Sequence, residues 1–332
     1  MRIAAYNVEW FTNLFGPDDT LIRDNEWSGR RDVTRLAQAD ALGHVFRTLD
    51  CDAVMVIEAP DGSRKRHTEQ ALANFATAYD LRTREVQTGF LNDTQQEIAL
   101  LYDPERMEVR HDPVGDVSGA APRFDQDFRI DLDVDATEDK VRFSKPPLEL
   151  AIRTAKGTAL RVIGAHLKSK APHGATTRDE VMRRSIANRR KQLAQAIWLR
   201  RRVEHHLEQG DGLILLGDLN DGPGLDEYEN LFGRSSVEII MGDDLYDPHA
   251  RQALQRRLPA MHTTARFLMH PQQTYLQALL DYVMISPDLM SRRPAWRIWH
   301  PFNDAACWRD EELRGALLSA SDHFPVTLDI EI

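Results

Sequence analysis

The chain predicts an α/β protein built on mixed β-sheets, and two observations carry that reading. Short apolar runs of strand length recur from end to end: Ile3–Tyr6, Ala53–Ile57, Ile98–Tyr102, Leu148–Arg153, Leu160–Ala165, Leu213–Leu216, Tyr282–Ile285 and Val326–Ile330. Helical periodicity separates some of them, the pattern of a layered α/β domain. Asn7, Glu58, His166 and Asp218 each close a run, whereas Asp281 and Asp322-His323 each stand just before one. Strands that end at an edge and strands that begin there run in opposite directions. The sheets are therefore mixed, and the polar groups gather at one end.

Between the first two runs, Arg35, Leu36, Leu42, Val45, Phe46 and Leu49 recur at helical spacing, with Asp32 as the expected start. A longer helix is expected from Asp179 to Glu208, with Met182, Ile186, Leu193 and Ile197 on one face. Its paired bases, Arg183/Arg184, Arg190/Lys191 and Arg201/Arg202, resemble a DNA-binding rail but read better as a solvated outer flank away from the site. No repeat, low-complexity tract or Pro/Gly/Ser linker divides the chain, so residues 1–332 read as a single domain.

A chain of 332 residues can bury a large core, and 42% hydrophobic with 28% charged residues is ordinary for a soluble globular protein. No apolar stretch is long enough to span a bilayer, and no amphipathic docking segment stands out, so no stable membrane association is expected. The N-terminus is already a strand pattern without a signal-type core. Two cysteines, Cys51 and Cys307, lie far apart without metal-type spacing, which points to a reduced cytoplasmic home. A net charge of -10 argues against a protein that coats nucleic acid, though not against an enzyme with a local basic patch. No protein partner can be inferred.

Asp218 and Asn220, two residues apart where an apolar run ends, place a carboxylate and an amide carbonyl on the same side of the chain. That suits a hard cation or a phosphate, and makes a metal-assisted phosphoester hydrolase the first hypothesis. Asn7, Glu58 and Asp322 offer only oxygen ligands, which favours Mg²⁺ or Mn²⁺ over zinc. His323 has a side chain suited to proton transfer near neutrality. Each residue also has a blander reading. Glu58 alone is a surface salt bridge, Asp218-Leu219-Asn220-Asp221-Gly222-Pro223 a turn, and His166 a satisfied buried histidine.

Six segments in order tip the balance: Tyr6-Asn7-Val8-Glu9-Trp10, Val56-Ile57-Glu58, Gly164-Ala165-His166-Leu167-Lys168, Gly217-Asp218-Leu219-Asn220-Asp221, Leu280-Asp281-Tyr282-Val283 and Ser321-Asp322-His323-Phe324-Pro325-Val326. Together they resemble the endonuclease/exonuclease/phosphatase superfamily. The resemblance implies a four-layer α/β sandwich, two mixed β-sheets packed face to face with helices on both outer faces. It also implies Glu58 as principal metal ligand with Asn7 and Asp322 nearby, and His323 oriented by Asp281. Asp218 would position the attacking water, Asn220 would donate to a phosphate oxygen, and Glu97 would orient His166. Whether Asp218 or the Asp281-His323 pair is the base stays open. The Glu97 and His166 pair resembles the deoxyribonuclease-like branch. A histidine at 166 disfavours the apurinic-endonuclease branch, and Leu216 with Asp221-Gly222 disfavours the inositol-phosphatase branch.

Nucleic acid is the expected substrate. Arg64-Lys65-Arg66-His67, Lys168-Ser169-Lys170 with His173 and Arg178, and the loop bearing Trp10, Phe11, Arg23, Trp27, Arg30 and Arg31 follow site-bearing strands. They would form a basic, aromatic rim. The segment 241–275, with His249, His262 and His270, is expected either to face substrate or to hold zinc, without the cysteines or tight spacing that make zinc sites recognisable. Phe124, Phe128 and the acidic stretch 131–139 suggest no role. The alternatives are a phosphoesterase acting on a small or lipid substrate, and a non-catalytic binding module on the same fold.

Overall fold

Each apolar run forms a strand, its ends within one or two residues of the expected bounds. The computed structural model describes residues 1–63, 66–92, 94, 96–115, 122–132, 138–172, 174–222, 233–256, 262–269 and 273–332. In chain order the first half is β1 (Arg2–Asn7), α1 (Arg35–Leu49), β2 (Ala53–Ala59), α2 (Thr68–Ala78), β3 (Glu85–Thr88), β4 (Glu97–Tyr102), β5 (Met107–His111), β6 (Phe128–Ile130), β7 (Asp139–Val141), β8 (Leu148–Thr154) and β9 (Ala159–His166). Then come α3 (Arg178–Glu208), β10 (Leu213–Asp218), α4 (Ser236–Met241), α5 (Pro248–Arg256), β11 (Ala265–Met269), β12 (Thr274–Ala278), β13 (Asp281–Ile285), β14 (Ala295–Ile298), α6 (Ala305–Arg309), α7 (Glu311–Ala320) and β15 (Val326–Asp329).

One sheet has the order β14-β15-β1-β2-β4-β3 and the other β13-β10-β9-β8-β5. β1 is parallel to β2 and antiparallel to β15, and β10 is parallel to β9 and antiparallel to β13. Both sheets are mixed, as the positions of the polar residues require. Side chains alternate between two environments with the period of a strand. Ile3, Ala5, Met55 and Ile57 meet Val162, Ile214, Leu216 and Val283 between the sheets. Ala4, Tyr6, Val54 and Val56 face α1, α2 and α7, while Ile163, Ala165, Leu213 and Leu215 face Trp198, Leu199 and Val203 of α3. The architecture is helix, sheet, sheet, helix. Gly164 lies where a Cβ would collide with Met55 of the opposing sheet, so a side chain there would force the sheets apart.

Two helix expectations need correction. Thr34, not Asp32, caps α1, its hydroxyl accepting from Ala37 N at 3.2 Å. Asp32 lies outside the helix with φ +57°. On α3, Met182 is exposed, and the buried stripe runs through Arg189, Gln192, Ala196, Leu199, Val203 and His206. Polar residues can occupy that stripe because each finds a partner: Arg202 is fully buried against Glu149, and Arg189 against Asp221. The paired bases are therefore not a uniform solvated flank, and this helix reaches the site. Phe124 and Phe128 pack around Trp198.

The strands that apolar runs do not reveal, such as β3, β5 and β14, lie at sheet edges or in separate hairpins. β5 reads Met-Glu-Val-Arg-His, its alternation masking it as a polar stretch.

Candidate active site

Strand direction places Asn7 and Glu58 at the ends of β1 and β2, His166 and Asp218 at the ends of β9 and β10, Asp281 at the start of β13, and Asp322-His323 just ahead of β15. A cleft of about 900 Å³ at this end is lined by Asn7, Glu58, His166, Asp218, Asn220, Asp322 and His323. Two contacts tie the sheets together across it. Asn7 Nδ2 donates to Asp218 Oδ2 at 2.9 Å, and His323 Nδ1 lies 2.7 Å from Asp281 Oδ2.

Local backbone irregularity aims several of these groups. Glu58 has φ +62° and occupies a bulge, because Ile57 pairs with Ile98 while Ala59 pairs with Glu97. Gly217 has φ +136° at a point where a Cβ would run into the Ala165 carbonyl, so the strand can only turn toward the cleft with glycine there. Asn220, at φ +50°, folds back on Asp218: its N–H donates to Asp218 Oδ1 at 2.8 Å and its amide to Oδ2 at 3.2 Å. The same amide donates to the Leu167 carbonyl at 3.1 Å.

Electrostatics divides the two histidines. Burial alone would lower His323, but Asp281 beside it, with Asp218 and Asp322, raises it well above the usual histidine value. Burial drives His166 well below that value, reinforced by Lys145 and His323. Burial also raises Asp218 and Asp322 to about 7, each against the opposing pull of His323. Glu58 is raised by burial too, with Lys145 and His323 opposing.

Glu97 departs from expectation. It accepts from Asn92 Nδ2 at 2.6 Å and, among the described residues, makes no hydrogen bond or ion pair with His166. The bulge explains this, since it leaves Glu97 opposite Ala59, and Gln96 donates to Glu58 instead. Lys145 takes the place beside His166, with Nζ 3.1 Å from Nδ1. Sequence reasoning missed Lys145, although a signal existed. It precedes β8, whose first residue Leu148 pairs with Gly164 near the end of β9. The rule that drew Asp281 to the site applies equally to it.

Asn7 Oδ1 is buried without a hydrogen-bond partner, and the carboxyl groups of Glu58 and Asp322 share the cleft with it. An orphaned amide oxygen beside two carboxyl groups fits a hard divalent cation. Asp218, Asp281 and His323 also offer ligand atoms within 4.8 Å of one another; His323 Nδ1 is already engaged by Asp281 Oδ2, while Asp281 Oδ1 is buried without a hydrogen-bond partner.

The rim is less basic than expected. Arg23 pairs with Asp40, Arg30 with Glu9, Arg31 with Asp32 and Arg66 with Asp61. Phe11 is buried, while Trp10 and Trp27 are exposed. Arg64, Lys65 and His173 lie outside the described residues. Cations reach the cleft from Lys145, Lys168, Lys170 and Arg189. The hairpin β11–β12 does face it, through Phe267, Met269 and Leu276. His249 and His262 lie with ring centres 5.0 Å apart, His270 lies outside the described residues, and no group of three ligands forms there among those described. No helix among the described residues is long and apolar enough to cross a membrane.

No protein of curated function matches the chain significantly in sequence. Truncated Caenorhabditis elegans TDP2 superposes with TM-score 0.52 at 15% identity, covering 100% of this chain and 97% of that one. Danio rerio TDP2 complexed with single-strand DNA product gives 0.50 at 11% identity, over 99% and 97% of the two chains. An AP endonuclease from Archaeoglobus fulgidus gives 0.49 at 14% identity over 100% of each chain. The two TDP2 similarities speak to the fold. The family profile named Endonuclease/Exonuclease/phosphatase family matches residues 4–323, nearly the whole length, and the chain belongs to that family.

Proposed function

We propose that this protein is a divalent-metal-dependent phosphodiester hydrolase acting on nucleic acid, with residues 1–332 working as one domain in a reduced, cytoplasmic setting. The observation that carries the reading is the meeting of Asn7, Glu58 and Asp322 with His166, Asp218, Asn220 and His323 in one cleft. Glu58, Asn7 and Asp322 would hold Mg²⁺ or Mn²⁺, which supplies charge withdrawal from the phosphate and stabilisation of the leaving oxygen.

The chain's own groups divide the remaining work. His323, kept protonated by Asp281, donates to a phosphate oxygen. Lys145 supports negative charge beside His166, and Asn220 offers its amide once phosphate competes for it. Asp218, held by Asn7 and Asn220, is the better-placed proton acceptor for water attacking phosphorus in line. Lys145 and Lys168 in the cleft favour a polyanionic strand, and Danio rerio TDP2 of similar fold holds single-strand DNA product. The buried free thiols Cys51 and Cys307 suit a reducing compartment.

A second reading, a small or lipid phosphoester, is favoured by the apolar wall of Phe267, Met269, Leu276 and Leu280. A panel of single-stranded DNA, duplex DNA, RNA, bis(p-nitrophenyl) phosphate and sphingomyelin, with and without chelator, separates the two. Metal-dependent nucleic-acid cleavage lost in Asp218→Ala and His323→Ala supports the first. Cleavage of sphingomyelin alone moves the assignment to the second, and silence on every substrate overturns both.

A further inference from the structure

Beyond the His166–Asp218 pairing, the parallel strands β9 and β10 separate into turns that carry the site. They stay joined by Leu167 N to the Asp218 carbonyl at 3.0 Å, the Asn220 amide to the Leu167 carbonyl at 3.1 Å and, farther out, Lys170 Nζ to Asp221 Oδ1 at 2.6 Å. Leu219 N still donates to the Leu280 carbonyl at 2.9 Å, but the carbonyls of Lys168, Leu219 and Asn220 have no strand to pair with. Buried peptide groups still require partners, so something outside the sheet must supply them.

Helix α3 does so. Gln192, wholly buried, donates through Nε2 to the Lys168 carbonyl at 2.9 Å, the Asn220 carbonyl at 3.0 Å and the Leu219 carbonyl at 3.4 Å. One turn later Gln195 accepts from Lys168 N at 2.9 Å. Two side chains thus take the place of the missing rung of the ladder. The amide of Gln192 has one possible orientation, because Arg189 Nη1 donates to its Oε1 at 3.1 Å and a guanidinium cannot accept. Arg189 Nη1 also holds Asp221 Oδ2 at 2.7 Å, fixing the residue that follows Asn220.

We infer that Gln192, oriented by Arg189, is a positioning residue that sets the spacing between the His166 strand end and the Asp218–Asn220 turn. The inference rests on the hydrolase reading for its catalytic consequence, though not for its structural one. Gln192 touches no reacting atom. It acts through Asn220, whose left-handed backbone would relax if its carbonyl lost this donor.

The substitution Gln192→Met keeps length and apolar volume while removing the amide's donor and acceptor. It is expected to lower kcat on bis(p-nitrophenyl) phosphate about 10- to 100-fold, with KM within about threefold, because misplacement by about 1 Å carries a cost of that order. In an Asn220→Ala background the same substitution should cost less than about threefold, since the two act as one unit. Hydrogen exchange should quicken at residues 167–170 and 219–221 and nowhere else. Leu199→Ala, on the same helix but away from both turns, serves as the control for destabilisation and should keep kcat. If Gln192→Met does not fold, Gln195→Met tests the same link through Lys168 N alone, with a smaller loss in the same direction.

Unchanged kcat, independent multiplication of the two losses, or an equal loss in Leu199→Ala at equal Tm overturns the inference. If the wild-type protein cleaves no phosphodiester, the hydrolase reading fails by itself. The exchange measurement then decides, and unchanged exchange at both turns overturns the positioning role.

Discussion

His323 and Asp281 join the two sheets at the floor of the cleft, with Nδ1 2.7 Å from Oδ2 and both side chains buried. Asp281 belongs to β13 of one sheet, and His323 leads into β15 of the other. The pair therefore reports on the docking of the whole sandwich as well as on its chemistry.

Asp281→Asn removes the charge that keeps His323 protonated. The imidazole should titrate at lower pH, read by NMR, and hydrolysis should fall about 10²- to 10⁴-fold. Stability shifts in a defined window. A histidine raised above its unfolded value near 6.5 contributes fully below that pH and loses the contribution as pH rises through the folded value. The wild-type protein should lose this increment on the alkaline side, and Asp281→Asn should not. An unshifted imidazole in the variant would show that Asp281 does not control it.

Lys145→Met takes a cation away from His166, whose basicity burial and then Lys145 both depress. The His166 titration should move up toward the usual value, and activity should fall about 10- to 100-fold. Lys145→Arg should retain most of it. Equal activity in all three proteins would remove Lys145 from the site.

Mg²⁺ should add about 2.7 kcal/mol of stability at a hundred times its dissociation constant, Tm should rise with its concentration, and chelator should reverse the shift. Glu58→Gln should abolish the effect while leaving the metal-free Tm equal or higher, because burial disfavours that carboxylate. A full Mg²⁺ shift in Glu58→Gln, measured by calorimetry, would place the cation elsewhere.

Gly217→Ala should cost about 2–5 kcal/mol in urea unfolding, combining an unfavourable backbone conformation with a collision against the Ala165 carbonyl. A loss below about 0.5 kcal/mol, the scale of an ordinary surface change, would mean the turn relaxes freely.

Asp304 sits at the start of α6, paired with Arg297 at 2.8 and 2.9 Å. Burial pulls its carboxyl up, but Arg297 and the Cys307 N–H outweigh it and hold the group down at about 2, against 3.8 unperturbed. Its contribution to stability is present above the unfolded value and is lost as pH falls through the folded one. Asp304→Asn should flatten the acid limb of the stability profile between those two values. An identical limb in both proteins would dismiss the pair as a contributor.

Much of the site was legible because strand ends are local. An apolar run followed by a polar residue identifies Asn7, Glu58, His166 and Asp218 without knowledge of any neighbour. Run direction adds Asp281 and His323, since a strand entering the site must begin with its polar group. Glu97 shows where that logic stops. It stands at the start of β4, yet its partner depends on a bulge one strand away that shifts pairing by a residue.

The apolar runs of this chain determined by themselves that its sheets would be mixed and which of their ends would be polar, because run length and strand direction are properties of single segments. Tertiary structure alone decided which partners meet: Lys145 rather than Glu97 beside His166, Thr34 rather than Asp32 at the head of α1, and buried Arg189 and Gln192 beneath the turns that follow β9 and β10. Those choices turn on register, bulges and the burial of polar groups from distant segments. Their energies depend on partners that no local stretch of sequence specifies.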